Sequence, residues 1–157
     1  MTGDGRVSGG QKVLVAIDLS DESGEIIERA RSIAGDGDLH LVHVQEPMDT
    51  VYMGVVPFGP VFPGVDEAED KLRDELRKRL DHWATRFSVA AGQAHLRYGT
   101  PASEIKALAD EIDCDLIVIG THGQKGVQLL LGSTANSVLH GACHDVLAVR
   151  VGAKGDD

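Results

Sequence analysis

Short apolar runs alternate with amphipathic segments along most of the chain. Runs that are apolar at nearly every position occur at 12–17, 114–119 and 146–151, and a similar run at 39–44 includes two histidines. Such runs are typical of strands buried on both faces of a parallel sheet. A weaker strand is expected at 93–97.

Between these runs, apolar residues recur at helical spacing in four segments. The predicted helices run from about 20 to 34, 66 to 88, 100 to 112 and 133 to 142. Ser20, Thr100 and Ser133 stand where helix N-caps are expected, and Pro101 suits the first helical position. The alternation of strands and helices predicts an α/β domain with a parallel sheet and helices on both faces.

Length and composition favour one domain. The chain has 157 residues, of which 42% are hydrophobic, enough for a single sizeable core. We expect this domain at 11–151, after a flexible glycine-rich leader at 1–10 and before a disordered acidic tail at 152–157. A long loop at 45–65 holds four prolines and three glycines. It is expected to be either a binding flap or a surface loop packed on its own side chains.

The net charge restricts the possible partners. Fifteen basic and twenty-five acidic residues give a formal charge of −10, which disfavours nucleic acid and anionic membrane surfaces. Cys114 and Cys143 form no Cys-x-x-Cys pair, so we expect ordinary buried thiols in a reducing compartment. No segment approaches the length of a membrane span. These features together predict a cytoplasmic protein.

A glycine-rich stretch at 120–134 joins a predicted buried strand to the last predicted helix. Its four glycines let backbone N–H groups approach an anion, and the helix dipole favours negative charge at the helix start. It has neither the Gly-Lys-Ser/Thr ending of a Walker loop nor the Gly-x-Gly-x-x-Gly spacing of dinucleotide sites. The stretch is therefore either a phosphate site or a strand-to-helix turn that binds nothing.

Other candidate chemistry receives little support. His140, Cys143 and His144 lie close in sequence, but a glycine interrupts the helix between them and no fourth ligand is apparent, so no metal site is expected. Ser133 lacks the Gly-x-Ser-x-Gly elbow of a hydrolase. His122 is the one candidate general base in the glycine-rich stretch, and we expect no catalytic residue.

Six motifs together resemble the universal stress protein family from Lys12 to Val151. They are Val-Ala-Ile-Asp18, Leu-Val-His-Val44, Gly99-Thr-Pro101, Asp115-Leu-Ile-Val-Ile-Gly-Thr-His-Gly123, Leu-Leu-Leu-Gly132-Ser133 and Val-Leu-Ala-Val149. The resemblance implies a Rossmann-like α/β fold, a three-layer α/β/α domain around a five-stranded parallel sheet of order 3-2-1-4-5. A ligand would then lie between the first and fourth strands, at the topological switch point.

The resemblance also implies a site for ATP, ADP or AMP, with or without Mg²⁺. By this likeness Ala16 and Asp18 border the adenine, and Val44 contacts it through its backbone. The ribose and phosphates would be held by Gly120, Gly123, Gly132, Ser133 and Thr134.

One spacing departs from the ATP-binding pattern of the family. Eight residues separate Gly123 from Gly132, where the ATP-binding pattern has nine, and the shorter spacing resembles the branch that does not bind ATP. Three hypotheses therefore stay open. The chain is a nucleotide-binding sensor, a non-binding member that acts through an unknown protein partner at the long loop, or a slow ATPase.

The last strand bears on assembly. In the order 3-2-1-4-5 it lies at an edge of the sheet, where an exposed apolar strand invites aggregation unless it is covered. Family members dimerise through this strand, so the resemblance implies a homodimer with antiparallel pairing at 146–150.

Overall fold

The computed structural model describes residues 10–47, 65–121 and 132–151 and contains one five-stranded parallel sheet. The strands are β1 (Val13–Ala16), β2 (Leu39–Gln45), β3 (Ala94–Tyr98), β4 (Leu116–Gly120) and β5 (Asp145–Val149). Their order is β3-β2-β1-β4-β5, and each neighbouring pair is parallel. The predicted fold class and strand order are confirmed.

Four helices connect the strands in the described part of the chain. They are α1 (Ser23–Ala34), α2 (Val65–Arg86), α3 (Pro101–Ile112) and α4 (Ser133–Gly141), and a short 3-10 helix at Ala91–Gln93 precedes β3. The predicted leader, tail and most of the long loop fall at 1–9, 152–157 and 48–64, outside the described residues.

The core has two halves, one on each face of the sheet. Ile27 of α1 and Leu80 of α2 pack with Val13 and Val15 on one face. On the other face, apolar residues of α3 and α4 pack with Leu14 and Ile117 of the sheet. Since successive strand residues point to opposite faces, β1 supplies both halves and is buried along its whole length.

Two predicted helix caps are wrong. Helix α1 begins at Ser23, because Ser20 instead donates from its Oγ and its N–H to Asp18 Oδ1, at 2.6 and 3.0 Å. Helix α4 begins at Ser133, with Gly132 at the N-cap position.

Two other local predictions can be compared with the structure. Thr100 does occupy the N-cap position of α3, with Pro101 as the first helical residue, but its side chain makes no capping hydrogen bond.

The expectation that both thiols are buried is wrong for Cys143, which is exposed. Cys114 is buried, and desolvation raises the pKa of its thiol to about 11. Within the described residues, no helix has the length and apolarity needed to cross a membrane.

Two histidine rings meet end to end between β2 and β3, and their planes are nearly parallel. His40 Nδ1 lies 3.0 Å from His95 Nε2, and the ring planes differ by 11°. In the neutral pair one nitrogen donates and the other accepts. Burial lowers the pKa of both rings from the ordinary 6.5, so the folded protein favours this neutral arrangement.

The neutral pair predicts that stability falls on acidification. The folded pKa values lie below the unfolded value of 6.5, so the unfolded chain takes up protons first as the pH drops. The stabilisation is complete above pH 6.5 and is lost as the pH falls from 6.5 through the lower folded values. Urea unfolding between pH 8 and 5 should show this loss, and His95→Gln should reduce its slope.

The matched control is His140→Gln, at an exposed position in the last turn of α4. An unchanged slope in the His95 variant would contradict the role given to the pair.

Candidate functional site

A cavity of about 240 Å³ opens at the carboxyl ends of β1, β2 and β4. It lies where strand order reverses between β1 and β4, the usual ligand position in open α/β sheets. Seven of the eight residues predicted from the sequence line it: Ala16, Asp18, Val44, Gly120, Gly132, Ser133 and Thr134. Gly123 lies outside the described residues, so its place in the site stays a prediction.

The rest of the described cavity wall was not predicted as part of the site. These residues are Ile17, Ile26, Val42, His43, Pro101, Ile105, Ile119 and Ala135. Most of them belong to the apolar stripes that predict the core, so nothing in the hydrophobic pattern separates them from it. Their positions at the ends of elements could have indicated them. Ile17 and Ile119 are the last apolar residues of their runs, and Pro101 is the first residue of α3.

A hydrogen bond brings the end of β4 close to the start of α4. Gly132 N–H donates to the Thr121 carbonyl at 2.7 Å, and a Cβ on Gly132 would stand only 3.0 Å from that oxygen. Glycine is therefore suited to this close approach. We call this contact the neck, because segment 122–131 leaves and returns through it. The neck ties the start of α4 to the end of β4.

The first turn of α4 brings helix amides to the cavity. Ser133, Thr134 and Ala135 line the cavity, no side chain among the described residues caps the helix, and Asn136 is the residue whose N–H bonds back to Gly132, at 2.9 Å. The first N–H groups of a helix have no partner within it, and together with the helix dipole they attract anions. This end of the cavity is suited to a phosphate or carboxylate.

The described side chains supply no positive charge to help those amides. Asp18 is the one carboxylate in the described lining, and neither lysine nor arginine is present there. Asp18 Oδ1 accepts two hydrogen bonds from Ser20, which orients the carboxylate at the start of α1. Within the described residues, no three His, Cys, Asp or Glu side chains are close enough to hold a metal ion.

His43 is the polar residue in the cavity wall that the sequence did not single out. Its side chain is 9% exposed, and Nδ1 lies 2.8 Å from the Ile17 carbonyl oxygen. Nε2 is buried and has no hydrogen-bond partner within the described residues. His40 lies three residues earlier on the same strand and therefore on the opposite face, where it pairs with His95.

Helix α3 forms part of the cavity wall and is tied to β3 by an ion-pair network. Arg97 donates to both carboxylate oxygens of Glu111, at 2.8 and 3.0 Å, and to Glu104 at 3.2 Å. These hydrogen bonds raise the pKa of Arg97 and lower that of Glu111. The network helps to hold α3 over the sheet, with Pro101 and Ile105 against the cavity.

The chain matches the model of the universal stress protein family over residues 10–150. It is 38% identical over 144 residues to universal stress protein A homolog 2 of Coxiella burnetii, a match that covers 90% of this chain and 95% of that protein. A second Coxiella burnetii relative, universal stress protein A homolog 1, is 38% identical over 87% of this chain and 94% of its own length.

Solved structures are similar as well. A putative universal stress protein from Pseudomonas aeruginosa superposes with a TM-score of 0.67 at 24% identity, which concerns the fold alone. That match covers 90% of this chain and 48% of the other, so the chain spans about half the length of that protein. The crystal structure of a universal stress protein in complex with cAMP gives a TM-score of 0.59 at 25% identity, covering 91% of this chain and 98% of that one.

The family match therefore extends over the whole sheet, from β1 to β5, and over every described residue that lines the cavity. The resemblance seen in the six sequence motifs is confirmed. The chain belongs to the universal stress protein family.

Proposed function

We propose that this chain binds an adenine nucleotide (ATP, ADP or AMP) in the cavity between β1 and β4. The observation that carries the proposal is the first turn of α4, which no described side chain caps and whose residues line an otherwise largely apolar cavity. Apolar walls suit a base, and free amides suit a phosphate. A relative of similar fold was crystallised in complex with cAMP, which contains adenine, ribose and a phosphate.

The cavity volume is consistent with partial enclosure of the nucleotide. At about 240 Å³ it is smaller than the roughly 300–1,000 Å³ typical of small-molecule sites. Base and sugar would fill it, and the phosphates would extend along the α4 amides. Because the described lining contains no lysine or arginine, Mg²⁺ bound to the phosphates would offset their charge.

We propose a regulatory role for the chain, that of a cytoplasmic sensor whose signal is nucleotide occupancy, rather than that of an enzyme with fast turnover. His122, the candidate base of a slow ATPase, lies outside the described residues.

A second candidate function is that of a non-binding family member that acts through protein contacts. The short spacing between Gly123 and Gly132 favours it, and so does the absence of a cation from the described lining. The neck favours nucleotide binding instead, since in this chain, with its short spacing, it ties the start of α4 to the end of β4 at the cavity.

We also propose a homodimer that pairs through β5. The strand lies at the edge of the described sheet, and its apolar residues are only partly buried. The Val149 carbonyl accepts a hydrogen bond from the N–H of Thr121, the residue that follows β4, at 2.9 Å. Because backbone groups alternate in direction along a strand, Ala148 presents its N–H and carbonyl to the open edge, where a twofold partner could bind them.

Gly132→Ala tests the neck and the nucleotide site together. The added Cβ would push against the Thr121 carbonyl and shift the first turn of α4. Loss of one charge-assisted hydrogen bond to phosphate costs about 1.5–3 kcal/mol, so affinity for Mg-ATP should fall about ten- to a hundredfold. Titration calorimetry with ATP, ADP, AMP and cAMP, with and without Mg²⁺, measures this change.

Gly92→Ala is the matched control, because a Cβ at that position meets nothing within 4 Å. Its affinity should equal that of the wild type. Failure of the wild type to bind any of the four nucleotides would favour the protein-contact function instead.

Ala148→Pro tests the dimer. Proline removes the outward N–H of the edge strand but leaves the Val149 bond to β4 intact. Sedimentation velocity at micromolar concentration should show a dimer for the wild type and a monomer for the variant. A monomeric wild type would contradict the proposed pairing.

A further inference from the structure

The turn between β1 and α1 holds one residue in an unusual backbone conformation next to the cavity. Leu19 has a φ of 63°, in the left-handed region that is sterically unfavourable for a residue with a Cβ. The other two described non-glycine residues with positive φ, Ser88 and Asp113, follow helix ends, where this conformation is common. Leu19 instead follows Ile17 and Asp18, which line the cavity. Strained backbone of this kind is typical of functional sites.

Helix α2 holds Leu19 in two ways. The Leu19 side chain is 3% exposed and belongs to the same core cluster as Leu76 and Leu80 of α2. The Leu19 carbonyl accepts a hydrogen bond from Nη2 of Arg79, also on α2, at 2.9 Å. Because the guanidinium donor is charged, this bond is stronger than a neutral one. Helix α2 thus restrains both the side chain and the backbone of the strained residue, and Arg79 acts on the backbone.

The same turn forms part of the cavity wall. The Ile17 N–H donates to the Val42 carbonyl at 2.9 Å, so the turn begins at a residue that is tied to the sheet. At the other end, Ser20 donates from its Oγ and its N–H to Asp18 Oδ1. Leu19 is the strained link between these two ends, so its conformation affects where Asp18 lies relative to the sheet.

We propose that Arg79 is a positioning residue of the nucleotide site, although it is not part of the described cavity wall. Its bond to the Leu19 carbonyl keeps Leu19 in the left-handed conformation and thereby keeps Ile17 and Asp18 in place in the wall. This proposal rests on the proposed function. Without the bond, part of the population adopts a relaxed turn. The apparent affinity for nucleotide then falls in proportion to the fraction that keeps the binding conformation.

Arg79→Met tests the positioning role, because methionine keeps an unbranched apolar stem and removes the donor. Titration calorimetry with Mg-ATP should show an affinity about three- to tenfold below that of the wild type, the effect of one lost hydrogen bond. The matched control is Arg77→Met on the same helix. Arg77 Nη1 donates to the Ala94 carbonyl at 3.1 Å, at the start of β3 and so at the end of the sheet away from the cavity. Its affinity for Mg-ATP should equal that of the wild type.

Leu19→Gly separates positioning from a general loss of stability. Glycine adopts a positive φ without strain, so the turn then depends much less on the bond from Arg79. Arg79→Met made in the Leu19→Gly background should therefore change the affinity for Mg-ATP less than about twofold. Affinities are compared at a temperature at which thermal unfolding shows each variant to be folded. Leu19→Asn provides the same comparison if the glycine variant does not fold, because asparagine also tolerates the left-handed region.

Several outcomes would overturn the proposal. An unchanged affinity in a folded Arg79→Met does so and leaves the nucleotide site in place. Equal losses of affinity in Arg79→Met and Arg77→Met indicate a general effect of α2 instead of a specific contact. The same loss in both Leu19 backgrounds shows that Arg79 does not act through the conformation of this residue. Absence of nucleotide binding by the wild type removes the proposed function together with this proposal.

Discussion

The pairing of β1 with a strand on each side is the constraint on which the rest of the structure depends. Val13, Leu14 and Val15 are fully buried and pair with β2 in one direction and β4 in the other. The strand order runs outward from β1 in both directions. The helices that follow β1 and β4 therefore pack on opposite faces of the sheet and leave a crevice between them. The cavity is thus a consequence of strand order, and its wall includes Ala16, Val42 and Ile119, which pair across the three central strands.

Attraction for an anion in so acidic a chain has to come from the backbone. The formal charge is −10, and the described cavity lining contributes a carboxylate and a histidine but no cation. The free amides at the start of α4 are fixed in place by the fold, so they need no side-chain ordering when a ligand arrives. Such a site attracts an anion only weakly from a distance. It binds the anion through well-placed N–H groups once the anion is close.

The sequence predicts the sheet well because β1, β2 and β4 are nearly continuous apolar runs, and the family resemblance supplied their order. Helix starts were harder, since Ser20 has the character of an N-cap but its hydroxyl is drawn to Asp18, and Gly132 displaces Ser133 at the cap of α4. These outcomes depend on which neighbours a side chain meets. His43 was missed for the same reason. The sequence shows it only as one of two histidines in a buried strand, and the fold is needed to reveal that Nδ1 has a hydrogen-bond partner and Nε2 has none among the described residues.

The neck between Thr121 and Gly132 also bears on how this family can vary. A segment whose two ends are held together by a hydrogen bond of 2.7 Å behaves as a closed loop. The entropy of closing such a loop changes only with the logarithm of its length, so one residue more or less around ten alters it by about 0.1 kcal/mol. A change of one residue between Thr121 and Gly132 therefore costs the fold little closure entropy. In terms of closure entropy, loop length at this position can change to suit a ligand at small cost to the fold.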